Sequence, residues 1–125
     1  MLYIAPSLLA ADYANLTEEI DRVETAGANY LHLDVMDGHF VPNISFGPGL
    51  ISSIRKHTQL IFDVHLMISD PMKYVDEFIR AGADIITFHY ESNSDVAETI
   101  KLIKKTGKKA SVSISPDTPA EVLFP

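Results

Sequence analysis

Short apolar runs alternate with longer stretches in which apolar residues recur every three or four positions. The short runs fall at 2–8, 30–35, 60–67, 84–90 and 109–114 and are rich in Ile, Val, Leu and Phe, the pattern of buried strands. The intervening stretches predict helices. In the first, Asn15 caps, Glu18 closes a capping box, Leu16, Ile20 and Val23 form the apolar stripe, and Gly27 ends it. A short helix is expected near 50–57 after a Gly-, Pro- and Asn-rich loop at 37–48. The next opens with Asp70 as cap and Pro71 in the first turn, and runs through Val75, Phe78 and Ile79 to Gly82. The last full one starts at Ser94, turns Val96, Ile100 and Ile103 inward and ends at Gly107.

Two segments repeat one another: Ala26-Gly27-Ala28-Asn29-Tyr30-Leu31-His32 and Ala81-Gly82-Ala83-Asp84-Ile85-Ile86-Thr87. Each is a helix-ending glycine followed by a tight entry into a strand. Strands alternating with helices imply a parallel sheet covered by helices. Thr118-Pro119-Ala120-Glu121 announces a further helix, with few residues after it before Pro125. The expectation is one domain over 1–125, the N-terminal half of a longer (βα)8 domain cut near the start of its fifth helix.

An open doubly wound sheet would show a Gly-rich turn after its first strand. Here that strand ends Ala5-Pro6-Ser7-Leu8-Leu9-Ala10, without glycine. Polar residues gather instead at the carboxyl ends of successive strands: Ser7, His32 with Asp34, His65, and His89 with Glu91. In a barrel these ends converge on one mouth. The fold class expected is α/β, a partial (βα)8 TIM barrel of about four βα units plus a fifth parallel strand.

Composition narrows the partners. The chain has 125 residues, 46% hydrophobic and 22% charged, with a net charge of −7 and no cysteine. A negative chain with its acids dispersed disfavours nucleic acid and anionic membranes. The missing cysteines exclude disulfides and thiolate metal sites. No apolar run approaches the roughly 20 residues of a membrane span, and the first residues lack the features of a signal peptide. The cytoplasm is the expected location.

Against that background two strands stand out. His32 and Asp34 are two apart in one, and Asp63 and His65 two apart in the next. Residues i and i+2 of a strand share a face, so each strand sets an imidazole beside a carboxylate, with Met36 or Met67 next along that face. His32 and His65 on neighbouring strands favour a metal over two separate core histidines. Imidazole and carboxylate suit Zn²⁺, Fe²⁺, Mn²⁺ or Co²⁺. Asp63 lies deeper and serves either as a ligand or to orient a histidine. His89 and Glu91 read equally as mouth-lining or structural residues, and His39 and His57 as ordinary loop and helix residues. Asp37-Gly38-His39-Phe40-Val41-Pro42-Asn43 reads as a turn, or as a flap over the mouth with Phe40 and Val41 excluding water.

Three stretches, Ala5-Pro6-Ser7-Leu8-Leu9-Ala10-Ala11-Asp12, the run from His32 to Asn43, and Asp63-Val64-His65-Leu66-Met67, together resemble the ribulose-phosphate 3-epimerase family. The resemblance runs over the whole chain. It implies a (βα)8 barrel that interconverts D-ribulose 5-phosphate and D-xylulose 5-phosphate with one divalent metal, by proton abstraction and return through an enediolate. His32, Asp34 and His65 would be metal ligands and Asp34 also an acid/base group. Ser7, His65, Met36 and Met67 would contact substrate. In the family a second acid/base Asp, a third wall Met and the phosphate loops come from the second half. No phosphate-binding residue is expected in this chain, which alone should be inactive or nearly so. Ser115-Pro116-Asp117-Thr118 also departs from the family's Asn-Pro-Gly-Thr.

Two alternatives remain open. One is an epimerase for a six-carbon ketose phosphate such as allulose 6-phosphate. The other is a non-catalytic half-barrel scaffold that self-assembles, because open sheet edges invite pairing. A metal-dependent hydrolase fits the ligands alone but not the long run around Asp34.

Overall fold

Each predicted helix forms where its apolar stripe can be laid on the strands. The computed structural model describes residues 1–124, so Pro125, the last residue of the expected domain, lies outside the described residues. The elements in chain order are α1 (Leu16–Thr25), β1 (Tyr30–Met36), α2 (Pro48–Arg55), β2 (Ile61–Met67), α3 (Pro71–Ala81), β3 (Ile85–His89), α4 (Val96–Lys105) and β4 (Lys109–Ser113). The four strands form one parallel sheet in sequential order, β1-β2-β3-β4, with a helix in every crossover. Sequential parallel order with helices on one side is the arrangement of a (βα)8 barrel rather than of a doubly wound sheet. The fold is a partial TIM barrel.

The first of the five strands expected, at 2–8, is present in reduced form. It runs parallel to β1, with Ile4 O accepting from Tyr30 N–H, Pro6 O from His32 N–H, and His32 O from Leu8 N–H. The pairing amounts to a single bridge, Ser7 to His32, and no regular strand. Pro6 has no N–H to give the ladder. Leu2, Tyr3 and Ile4 are exposed, so no packing irons the segment flat.

Three caps also differ from expectation, and at α3 Asp70 holds the cap position but its side chain makes no capping bond. At α1 the Asn15 side chain makes no capping bond, and Asp12 instead caps a preceding 3-10 turn (Tyr13–Asn15) by accepting from Ala14 N–H. At α4 the cap is Asp95, which accepts from Glu98 N–H. Ser94 instead accepts from Met72 N–H at the start of α3. The helix announced at 118–121 is a 3-10 turn, Ala120–Leu123, without a side-chain cap. At the end of α3, Gly82 adopts φ +119°, a left-handed conformation that a side chain resists.

The core lies between sheet and helices. Leu31, Leu33, Phe62, Val64, Leu66, Ile86 and Phe88 point to the helical side and are fully buried against Ile20, Ile51, Val75, Phe78 and Ile103. Each such side chain is worth about 1.5–3 kcal/mol relative to exposure. Because strand side chains alternate, the opposite face is left to His32, Asp34, Met36, Asp63, His65, Met67, Thr87 and His89. The greasy face anchors the sheet and frees the other for chemistry.

Candidate metal and acid/base centre

Register brings the polar face together. In the β1–β2 pair, His32 stands opposite Asp63, Asp34 opposite His65, and Met36 opposite Met67. The two i, i+2 pairs therefore interlock across strands. His32 Nδ1 meets Asp63 Oδ2 at 2.9 Å, and His65 Nδ1 meets Asp34 Oδ1 at 3.1 Å. His32 Nε2 lies 3.1 Å from the same Asp34 oxygen and 3.3 Å from His65 Nδ1.

Three donor atoms thus form a nearly equilateral triangle: His32 Nε2, His65 Nδ1 and Asp34 Oδ1. Ligands bound tetrahedrally at about 2.0–2.1 Å from an ion sit about 3.3–3.4 Å apart. The observed separations of 3.1, 3.1 and 3.3 Å match that spacing closely. His32, Asp34 and His65 could hold a metal ion. Asp63 contributes no atom to the triangle. It sits behind His32, accepting from His32 Nδ1 and from the Thr87 hydroxyl at 2.9 Å, contacts that suit an orienting residue.

The electrostatics follow from these contacts. Hydrogen bonds to Asp34 and Asp63 outweigh burial and push the His32 imidazole up to about 10. Burial opposes a charge on Asp34, which is 9% exposed. Hydrogen bonds from His32, His65 and Ser7 outweigh that cost and hold its carboxyl well below the usual range. Asp63 is lowered similarly, its burial offset by His32 and Thr87. The Asp34 oxygen that receives both imidazoles stands where a cation would be shared by all three donor atoms.

Ser7 enters from the N-terminal segment, its hydroxyl donating to Asp34 Oδ2 at 2.6 Å. Met36 and Met67 flank the mouth as expected, Met67 buried and Met36 half-buried. The loop after β1 is tied down at its base. Asp37 accepts from the His39, Phe40 and Ser69 N–H groups, each at 2.8 Å. Gly38 supplies the expected positive φ, +74°. Beyond it, the Phe40 ring rests 5.2 Å from that of His89.

Several residues of the centre escaped the sequence reading. Thr87 lies on the right face by alternation but is chemically unremarkable in sequence. Ser45 comes from the loop, where its hydroxyl donates to Asp34 O and accepts from Met36 N–H. His89, left undecided, reaches His65 with an Nε2 to Nε2 distance of 2.8 Å, and its Nδ1 faces Glu91 Oε2 at 3.3 Å.

Comparison with known proteins finds one family along nearly the whole chain. The sequence model of the Ribulose-phosphate 3 epimerase family matches residues 3–124. The chain is 50% identical over 123 residues to ribulose-phosphate 3-epimerase of Bacillus subtilis (strain 168), covering 98% of this chain and 57% of that protein. It is 48% identical over 120 residues to the Rhodobacter capsulatus enzyme of the same name, covering 96% and 53%. The protein named ribulose-phosphate 3-epimerase, cytoplasmic isoform, of Oryza sativa subsp. japonica is 49% identical over 123 residues, covering 98% and 54%. The chain spans about half the length of these curated relatives.

Proposed function

The chain belongs to the ribulose-phosphate 3-epimerase family, and on that premise we propose that the protein carrying it interconverts D-ribulose 5-phosphate and D-xylulose 5-phosphate at C3. The observation that carries the reading is the convergence of His32, Asp34 and His65 at the carboxyl ends of β1 and β2, with Ser7 bonded to Asp34. The names of the relatives favour the five-carbon substrate over a six-carbon one.

In this reading His32, Asp34 and His65 hold one divalent ion, Zn, Fe, Mn or Co. When bound, such an ion supplies Lewis-acid stabilisation of the negative charge that develops next to the ketone. Asp34 is the acid/base group. Its Oδ1 is turned to the two histidines, which leaves Oδ2, steadied by Ser7, to take the C3 proton. Hydrogen bonding keeps the carboxylate ionised and so ready to accept. Ser7 and His65 bind substrate hydroxyl or ketone oxygens. Met36 and Met67 form an apolar wall that keeps water from the enediolate and strengthens the electrostatics inside.

Inversion requires an acid/base group on each side of C3, because one base returns the proton to the face it took it from. Among the described residues at the mouth, Asp34 is the carboxylate available for that work. Asp37 is bonded to backbone N–H groups, Asp63 to His32 and Thr87, and Glu91 to His89 and Ser115. We place this chain as the N-terminal half of a barrel whose second carboxylate and phosphate site lie in the other half. The test is deuterium exchange at C3 of ribulose 5-phosphate in D₂O with added Zn²⁺, Mn²⁺ or Fe²⁺, beside a coupled assay for xylulose 5-phosphate. Exchange without product supports the one-sided site. Absence of exchange with every metal overturns Asp34 as the base, and full turnover by the chain alone overturns the missing carboxylate.

The sheet also bears on association. β4 pairs only with β3, which leaves its outer edge free among the described residues. Self-association, or pairing with the other half-barrel, would cover that edge. A clean monomer by sedimentation at tens of micromolar would count against it. No helix of the described residues is long and apolar enough to cross a membrane. The printed name of the rice relative, a cytoplasmic isoform, supports a cytoplasmic location.

A further inference from the structure

The sequence repeat Ala26-Gly27-Ala28-Asn29 and Ala81-Gly82-Ala83-Asp84 is also a repeat of hydrogen bonds. In each copy the residue after the glycine donates back into its helix, Ala28 to Val23 O and Ala83 to Phe78 O. The fourth residue then grips the preceding extended segment with two groups at once. Asn29 N–H donates to Ile4 O at 3.0 Å, while Asn29 Oδ1 accepts from Ile4 N–H at 2.9 Å. Asp84 N–H donates to Phe62 O at 3.0 Å, while Asp84 Oδ2 accepts from Phe62 N–H at 2.9 Å. Asn and Asp are poor strand formers, but each carries a short side-chain oxygen that can accept a backbone N–H.

A two-bond clamp fixes which residues stand opposite one another, and both clamps lie just before the polar centre. Three residues on from Ile4 and Asn29, Ser7 stands opposite His32. Three residues on from Phe62 and Asp84, His65 stands opposite Thr87. At β2 and β3 the clamp adds to a ladder of four paired residues and to the packing of the helices behind it. The 2–8 segment has no such support. It meets β1 in one bridge, Pro6 has no N–H to donate, and Leu2, Tyr3 and Ile4 are exposed. Beside the clamp, the Tyr3 ring stacks on Tyr30 with centroids 5.6 Å apart. An extended chain advances about 3.3 Å per residue. A slip of one residue would therefore break the 2.6 Å bond from Ser7 to Asp34 and turn the Ser7 side chain to the other face.

We propose that Asn29 is a positioning residue for the centre: by clamping Ile4 it sets the register of the N-terminal segment and so holds the Ser7 hydroxyl on Asp34 Oδ2. Asp84 is the second copy of the device, upstream of the Thr87 hydroxyl that donates to Asp63. Asp84 also bonds Arg55 and Lys108, so the clamp is tested more cleanly at Asn29.

The test is a double-mutant cycle of Asn29→Ala with Ser7→Ala in the full chain. It is read by Zn²⁺ competition titration and, after treatment with chelator, by NMR of the Ser7 hydroxyl proton and of Ile4 amide exchange. Only the titration rests on the metal reading. Wild type should show a protected Ile4 amide and a slowly exchanging Ser7 hydroxyl. Asn29→Ala should lose both, and its Zn²⁺ affinity should fall toward that of Ser7→Ala, itself expected about 10–100-fold below wild type. Asn29→Asp, which keeps an oxygen where Asp84 has one, should restore both signals. In the Ser7→Ala background, Asn29→Ala should weaken Zn²⁺ binding no further, because its effect runs through Ser7.

A merely structural Asn29 would lower stability and give additive losses of affinity, and additive losses overturn the proposal. A folded Asn29→Ala that keeps the Ser7 hydroxyl signal overturns it too. Should Asn29→Ala not fold, wild type alone decides: an Ile4 amide that exchanges as fast as an unbonded one, or a Ser7 hydroxyl without protection, overturns the clamp. A wild type that binds no Zn²⁺ yet shows a hydroxyl signal that Asn29→Ala loses would remove the metal reading and leave the clamp standing.

Discussion

Asp34 Oδ2 accepts a 2.6 Å hydrogen bond from the hydroxyl of Ser7, 27 residues earlier in the chain. The same hydroxyl accepts from Leu9 N–H, so the N-terminal segment is folded around the oxygen that steadies Asp34. Replacing Ser7 with Ala leaves a buried carboxylate oxygen without its donor. A bond to a charged group is worth about 1.5–3 kcal/mol, and Ser7→Ala should destabilise the chain by about that much in urea titrations. Zn²⁺ affinity should fall as well, because Asp34 loses its alignment. A variant as stable as the wild type would show that Asp34 finds another donor.

Asp63 stands behind His32, and its two substitutions separate charge from geometry. Asp63→Ala removes the acceptor for His32 Nδ1–H and should weaken Zn²⁺ binding about 10–100-fold by competition titration. Asp63→Asn keeps an oxygen for His32 while removing the charge and should lose less. Equal affinity in wild type and both variants would mean that His32 is aligned by packing alone.

Glu91 predicts a pH dependence. Burial works against its charge, but hydrogen bonds from Thr118 and the Ser115 N–H outweigh it and pull the carboxyl from 4.5 down to about 2. A carboxyl lowered in the folded state contributes stability that is fully present above its unfolded value and lost as pH falls through the folded one. The wild type should therefore exceed Glu91→Gln in urea midpoint by a constant margin above pH 5. That margin should shrink steadily between pH 4.5 and 2. A margin independent of pH over that range would show that the contacts of Glu91 do not depend on its charge.

Gly82 is a backbone test away from the site. A Cβ there would lie 2.3 Å from Arg55 Cδ, and φ is +119°. Arg55 cannot swing aside freely, since its guanidinium donates to Asp84, Thr58 O and Leu60 O and lies 3.6 Å over the Phe62 ring. Left-handed strain of roughly 1–2 kcal/mol and overpacking of roughly 1–3 kcal/mol add to a loss of about 2–5 kcal/mol for Gly82→Ala. Thermal unfolding would measure it, and a loss under about 1 kcal/mol would mean that Arg55 gives way.

Much of the molecule was legible before folding, and the misses have local causes. The strand at 60–67 and the helix from Pro71 to Gly82 were readable because alternation, Pro and Gly act within a few residues. The extended segment at 2–8 was overstated because apolar content cannot reveal that Pro6 breaks the ladder and that Leu2, Tyr3 and Ile4 find no cover. At α1, Asn15 and Glu18 fit a capping box, but the 3-10 turn capped by Asp12 precedes them and takes over the entry.

The centre divides along the same line. That His32, Asp34 and Met36 share one face, as do Asp63, His65 and Met67, is a property of the extended backbone and follows from sequence alone. Which imidazole meets which carboxylate does not. The chain order His-x-Asp and Asp-x-His invites pairing within each strand, and His32 does meet Asp34 that way, but only the folded sheet adds the cross-strand contacts of His32 with Asp63 and of His65 with Asp34. Lateral register is decided by the helices packed behind the strands, through contacts between residues far apart in sequence. The same packing brings the end of β3 beside β2 and so joins His89 to His65. Alternation along a strand is local chemistry, whereas alignment between strands exists only once the core has closed.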